Sequence, residues 1–218
     1  MIKLYGIPVS NNVNKIRYCL NYLNLPYEWI QTNPMTGDTQ SENFLKINPI
    51  GKIPALEDDG FPIFESNAII KYLASKQNSS IYPQDLKQRV VVDEWIDFVS
   101  IHIGGAITRV LFNRVMAPML GKEVDQNSLK TGLEFLAKYL PICDKQLAQN
   151  KYLTGSNFTL ADINLLAVID PCEMIGVSLS AYPNLTKWRN ELKAQNFYQK
   201  CFKAYGQFVQ EMMSAKAS

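Results

Sequence analysis

Within the first 31 residues two short apolar runs bracket a helical period, and no other feature constrains the chain as much. Ile2 to Tyr5 and Tyr27 to Gln31 read as strands, and between them Val13, Ile16, Leu20 and Leu23 fall on one helical face. Leu25-Pro26 ends that helix, because proline disfavours helical backbone in the residue before it. Strands joined through a helix pair in parallel with a right-handed crossover, so the opening segment is a β-α-β unit. Asn33 to Gln40 follows as a polar loop containing Pro34 and Gly37, and a short helix passes through Phe44 and Leu45. The turn-rich Asn48-Pro49-Ile50-Gly51-Lys52-Ile53-Pro54 leads into a strand over Pro54 to Glu57. Asp59-Gly60 is a hairpin turn into a second strand, Phe61 to Phe64. Ser66 can then cap a helix over Asn67 to Ser75.

Gln77 to Gln84 is polar, and beyond it only helical periods occur: Leu86 to Arg114, Asn127 to Gln149, Leu160 to Met174, Pro183 to Asn196 and Phe197 to Met213. The expected layout is an α/β domain over 1–76, a linker over 77–84 and an all-α domain over 85–218. With 47% hydrophobic residues the chain can build cores for both. Its 22 basic and 20 acidic residues form no run of one sign, which argues against a nucleic-acid partner. The opening MIKLYGIPVSNN lacks the features of a signal peptide, and the longest apolar helical run, Ile163 to Ile169, is too short to span a bilayer. A soluble, cytoplasmic protein with no membrane partner is expected. Cys19, Cys143, Cys172 and Cys201 have no CxxC spacing and suit buried free thiols in a reducing compartment. His102 is the single histidine, so a His-rich metal site is excluded and no metal is expected.

Ser10 lies between the first strand and the first helix. Outward N–H groups at a helix start favour an anion, and a hydroxyl beside them can donate to a thiolate, with Asn11 and Asn12 as further donors. A free thiol with a pKa of ~8.5 is only a few per cent ionised at neutral pH, so such a donor would do chemical work. Taken alone, Ser10 also reads as a plain helix cap. Ile53-Pro54 suits a cis bond, which would leave the Ile53 N–H and C=O to pair with an extended peptide, or it merely opens a strand. Glu65-Ser66 could hold an ammonium and a carboxylate, the two ends of an amino-acid group, or simply cap a helix. Thr159-Leu160-Ala161-Asp162 is a capping box and reads as structural. Gly104-Gly105 interrupts a helix, leaving room for a ligand or for close helix packing. His102, Arg109 and Arg114 nearby read as structural or solvated.

In their order along nearly the whole chain, Ser10, Asn48 to Pro54, Phe64-Glu65-Ser66-Asn67-Ala68-Ile69 and Phe158 to Asp162 resemble the cytosolic glutathione transferase family. Tyr82-Pro83-Gln84-Asp85, Val92-Asp93-Glu94-Trp95 and Pro183 to Trp188 look most like its serine-type theta class. The resemblance implies a thioredoxin-like α/β N-terminal domain that binds glutathione as co-substrate. It implies an all-α C-terminal domain that completes the electrophile site, and a homodimer engaged in detoxification. Ser10 would stabilise the thiolate. Ile53 would pair with the cysteinyl unit behind Pro54, Glu65 and Ser66 would hold the γ-glutamyl end, Thr39, Gln40 and Lys52 would lie near the glycine end, and Asn12 would lie near the thiol. The acceptor pocket would be lined by Ile7, Val9 and Val13, facing Ile103, Ala106 and Val110. The theta pattern has a His-Lys pair where this chain has Thr39-Gln40, so the glycine carboxylate loses a cationic partner, and an acidic residue of that pattern aligns with Ile101. The expected reaction is conjugation of glutathione thiolate to hydrophobic electrophiles. Glutathione-dependent disulfide or peroxide reduction and a non-catalytic binding module are the alternatives.

Overall fold

The computed structural model describes residues 1–201, and the chain divides into two compact units. Of the described residues, the first comprises 1–79 and 193–201, and the second 80–192. In the first, β1 (Ile2–Gly6) pairs in parallel with β2 (Tyr27–Gln31), Ile2 opposite Tyr27 and Gly6 opposite Gln31. The crossover between them is α1 (Asn11–Tyr22). β3 (Ala55–Asp58) runs antiparallel to β1, and β4 (Phe61–Phe64) antiparallel to β3, giving the sheet order β2-β1-β3-β4. The β3–β4 turn has positive φ at both Asp59 and Gly60, the backbone that tight hairpins favour. α2 (Glu42–Ile47) lies between β2 and β3, and α3 (Ser66–Lys76) follows β4 and buries Ile69, Ile70, Leu73 and Ala74.

The expected single apolar face of α1 is too narrow a description. Every residue from Val13 to Leu20 is buried, including Asn14, Lys15 and Arg17. Part of that cover comes from the far end of the chain: Asn21 Nδ2 donates to the Phe197 carbonyl at 3.1 Å, and the Tyr18 ring stacks on Tyr198 at 5.1 Å. Within the expected all-α domain over 85–218, residues 193–201 group with the α/β unit. Of the last expected helix, residues 196–201 are helical, and its continuation to Met213 lies outside the described residues.

In the helical unit, α4 (Leu86–Phe98), a π-helical stretch (Val99–Gly104), α5 (Gly105–Leu111), a second π-helical turn (Phe112–Met116) and α6 (Ala117–Met119) follow without a break. α7 (Gln126–Gln149) crosses α5 closely: a Cβ on Gly132 would lie 3.0 Å from the Ala106 carbonyl and from Val110 Cγ2. All ten residues of α8 (Leu160–Ile169) are buried, and α9 (Pro183–Lys193) adds Trp188 to the core. α8 stops short of the expected Met174, at a 3-10 turn containing Pro171. Asp162 anchors its start, accepting from the N–H groups of Leu153 and Thr159, both at 3.0 Å, and from Trp188 Nε1 at 3.2 Å. The expected linker over 77–84 is half structural. Ile81 and Tyr82 are buried, the Ile81 carbonyl accepts from Leu160 N–H at 2.9 Å, and the Tyr82 hydroxyl reaches Asp93 at 3.2 Å. No described helix is long and apolar enough to cross a membrane.

Candidate active site

The site residues expected within the α/β unit lie on four segments: the β1–α1 loop with the first turn of α1, the turn after β2, the 48–54 turn and the start of α3. Ser10 is the N-cap of α1, with extended backbone, and its Oγ accepts from Val13 N–H at a long 3.4 Å. A hydroxyl that accepts one bond keeps its proton to donate, so the cap and the thiol-binding readings coexist. Asn12 is exposed. The loop before Ser10 is braced from below, since Asn14 Nδ2 donates to the Pro8 carbonyl at 2.8 Å and Arg17 Nη1 to Asn14 Oδ1 at 2.9 Å. The Arg17 guanidinium lies over Trp29, 5.3 Å from the ring centroid.

The 48–54 turn is held by Asn48, whose amide donates to the Lys52 carbonyl at 2.6 Å and accepts from Ile50 N–H at 3.0 Å. Ile53–Pro54 is cis. Among the described residues no hydrogen bond engages the Ile53 N–H or C=O. Gln40 Nε2 rests on the Gly51 carbonyl at 3.4 Å, beside exposed Lys52, while Thr39 is buried. Gly51 has φ 66°, a backbone that favours glycine, and a Cβ there would displace the Gln40 amide, 2.6 Å away.

At α3 the expectation that Ser66 caps the helix is corrected. Glu65 is the N-cap, at φ 68° and with no capping bond from its side chain, and Ser66 is already helical. Both side chains are therefore released from helix capping. Ser66 Oγ accepts instead from Lys15 Nζ at 3.1 Å, and Lys15 also donates to Asn67 Oδ1 at 2.8 Å. Burial pushes the Lys15 amine down to about 7, with the Glu65 carboxylate opposing that shift. Lys15, Asn14 and Arg17 are absent from the sequence-based site. Their one signal is three polar residues set inside the apolar period of α1.

Four residues expected to line the acceptor pocket are packed instead. Val13 is fully buried against Gly6, whose added Cβ would lie 2.5 Å from Val13 Cγ2. Val110 and Ala106 are consumed at the α5–α7 crossing, and Ile103 is also buried. Ile7 and Val9 remain half-buried. A Cβ on Gly104 would lie 3.9 Å from Val168 of α8, whereas one on Gly105 would meet nothing within 4 Å. His102 packs on Tyr139 with ring centroids 4.9 Å apart, Arg109 donates to Ser128 Oγ at 3.3 Å, and Arg114 donates to the Ile175 carbonyl. These three act within the helical unit. Among the described residues no group of three or more His, Cys, Asp and Glu side chains is placed to hold a metal ion.

The arrangement is one of donors and backbone edges suited to a small anionic peptide. Residues 1–75 match the glutathione S-transferase N-terminal domain and residues 105–196 the C-terminal domain. Glutathione S-transferase 3 of Zea mays is 33% identical over 205 residues, covering 91% of this chain and 92% of its own. The structure of maize glutathione S-transferase I in complex with an atrazine glutathione conjugate is 32% identical, with a TM-score of 0.85 over 94% of this chain and 98% of that one. A theta-class enzyme from Xanthomonas axonopodis pv. citri with glutathione bound is 28% identical, with a TM-score of 0.83 over 91% of this chain and 95% of that one. The expected theta-class assignment is broadened, because the plant relatives are phi-class enzymes and no single class is marked out. A thioredoxin-like unit and a helical unit, each matched in chain order along most of the sequence, place the chain in the glutathione S-transferase family.

Proposed function

We propose that this glutathione transferase ionises glutathione through Ser10 and passes the thiolate to hydrophobic electrophiles. The carrying observation is the state of Ser10: it stands at the N-terminus of a 12-residue helix with its Oγ only weakly engaged, at 3.4 Å. Its proton and the helix's first N–H groups are then available to a sulfur anion. The cysteinyl backbone pairs with the Ile53 N–H and C=O, and Glu65 and Ser66 take the γ-glutamyl end. Gln40 and Lys52 face the glycine carboxylate, with Thr39 supporting them from its buried position, and Asn12 flanks the thiol. Ile7 and Val9 supply the apolar flank on this unit. The enzyme's contribution is stabilisation of developing charge and orientation of the thiolate, both of which lower the barrier.

Four buried free thiols suit a reducing cytoplasm. A homodimer is the assembly we infer from the apolar edge strand β4, where Phe61 and Phe64 are 59% and 37% exposed. Detoxification of electrophiles is the physiological role that fits an apolar acceptor side.

The test is an ultraviolet difference titration of bound glutathione with pH, in wild type and Ser10→Ala. Wild type should show thiolate well below the free thiol's ~8.5. Ser10→Ala should raise that midpoint by about one to two pH units and lower kcat about 10- to 100-fold, since each unit is about 1.4 kcal/mol and a charge-assisted hydrogen bond is worth about 1.5–3. An unchanged midpoint, or a loss of affinity equal to the loss of turnover, removes Ser10 from this role.

A further inference from the structure

Lys15 is only 2% exposed, and the reading above gives it no task. Packing does not require it, because an apolar side chain of similar length would fill the space without the cost of burying an ammonium. Its amine meets two neutral oxygens, Ser66 Oγ at 3.1 Å and Asn67 Oδ1 at 2.8 Å. Those are the first two residues of α3, so the amine stands at the positive end of that helix's dipole. Helix ends favour the opposite charge there. The nearby Glu65 carboxylate offsets the cation in part. A buried cation, the positive end of an 11-residue helix and a serine hydroxyl therefore converge on one point, and together they favour an anion.

The hydroxyl's geometry adds direction. A serine oxygen has one proton and two lone pairs, and the Lys15 amine, which in its ammonium form can only donate, occupies a lone pair. The Ser66 proton is thereby turned away from Lys15, and the hydroxyl is fixed as a donor. We propose that Lys15 is a positioning residue for the γ-glutamyl end of glutathione, orienting the Ser66 hydroxyl toward the ligand's α-carboxylate and supplying the positive charge that this carboxylate needs. The inference rests on the glutathione reading of the site. Lys15 acts through Ser66 and does not touch the reacting sulfur. Its substitution should therefore weaken glutathione binding far more than it slows turnover at saturation. α1 thus serves both ends of the tripeptide, with Ser10 at the thiol and Lys15 five residues on at the γ-glutamyl group.

The experiment compares two thioethers that have no ionisable thiol, S-hexylglutathione and S-hexylcysteinylglycine, which lacks the γ-glutamyl group. Binding to the full chain is measured by calorimetry for wild type, Lys15→Met and Lys15→Arg, with thermal unfolding and steady-state conjugation recorded alongside. Lys15→Met should lose about tenfold or more in affinity for S-hexylglutathione, the scale of one charge-assisted bond, and stay within about twofold for S-hexylcysteinylglycine. The preference for the complete ligand then collapses, kcat holds within about threefold, and Lys15→Arg regains most of the preference. If Lys15→Met does not fold, Lys15→Gln, which keeps a donor and drops the charge, carries the same comparison. A preserved preference, or equal weakening of both ligands, overturns the inference while the glutathione reading stands. Wild-type protein that binds neither ligand defeats both.

Discussion

Val13 makes the sharpest structural test, because the sequence places it in the acceptor pocket and the structure packs it against Gly6. An added Cβ at Gly6 would fall 2.5 Å from Val13 Cγ2 and 2.9 Å from Cγ1, well inside van der Waals contact. Val13 is fully buried and β-branched, so it has little rotamer freedom with which to yield. Overpacking of this kind costs about 1–3 kcal/mol, and contact this close puts Gly6→Ala at about 3, offset by about 0.5–1 from replacing a strand glycine. Val13→Ala removes both methyls and leaves a small cavity, at a cost of about 2 kcal/mol. Independent effects would sum to about 4 kcal/mol in the double variant. The geometry demands less, about 1–2, because the new methyl at residue 6 occupies the space that Val13 vacates. Urea unfolding of the four proteins measures this coupling of about 2–3 kcal/mol. The same displacement reaches the chemistry, since Val13 N–H is the donor to Ser10 Oγ. Gly6→Ala should therefore lower kcat/KM, and adding Val13→Ala should recover part of it. Single effects that add within about 0.5 kcal/mol would refute the packing argument, and with it the removal of Val13 from the pocket.

Gln40→Lys restores a cation beside Lys52 and should tighten glutathione binding about three- to tenfold by calorimetry, falling with added salt; no change would place the glycine carboxylate elsewhere. Asp162→Ala leaves four buried donors without this acceptor, and thermal unfolding should show a loss of about 3–5 kcal/mol, with a small change showing that water replaces the carboxylate. Burial holds the Asp162 carboxyl up at about 6 against an ordinary 3.8, so its contribution is complete below about pH 4 and is lost as pH rises through 6. The wild-type advantage over Asp162→Ala should accordingly shrink across that window. Lys15 titrates with the opposite sense. Its folded value of about 7 lies below the ordinary 10.5, so unfolding takes up a proton between these values, and stability relative to Lys15→Met should rise from pH 7 to 10. S-hexylglutathione brings a carboxylate that favours the charged amine, so its affinity should fall with pH over the same range, and a flat profile would detach Lys15 from the ligand.

The strands were legible because each carries its own local signal. β2 and β4 fall on the expected residues, since Pro26 and the Asp59-Gly60 turn fix their ends by backbone geometry that no distant contact can override. The helices of the second unit were legible in kind but not in detail. The π-helical turns after Phe98 and Leu111 leave the apolar period nearly intact, so a 3.6-residue pattern reads through them as one helix. The return of the chain from Lys193 to α1 has no signal along the sequence at all, because Asn21 and Phe197 are joined by packing across more than 170 positions. For the proposed site, the motif residues lie on the loops and helix starts that their sequence signals mark. The pocket lining was not legible, because an apolar residue at helical spacing looks the same whether it faces a ligand or a neighbouring glycine.

The residues that the sequence reading passed over share a physical type. Asn14, Lys15 and Arg17 are polar side chains on a helix, and by composition alone they belong on a solvated face. Each is buried, and each is bonded to a segment that carries a site residue: Asn14 to the loop ahead of Ser10, Arg17 to Asn14, and Lys15 to Ser66. Buried polar groups are mostly satisfied, and although Arg17 Nε has no partner among the described residues, the hydrogen bonds these three side chains do make go to the supports of the proposed site. The result is a mechanical link. In the binding mode proposed above, a shift of α1 would move the Ser10 hydroxyl and the amine behind Ser66 together, so one rigid element would position the two ends of the ligand instead of two independent loops. Defects in the bracing should then be non-additive with defects at Ser10. Asn14→Ala, which frees the Pro8 carbonyl, should cost much less turnover in a Ser10→Ala background than in wild type, because the loop it steadies no longer carries the group that matters. Equal fractional losses of kcat in the two backgrounds would show that Asn14 serves the fold alone, and that the link between bracing and chemistry does not exist.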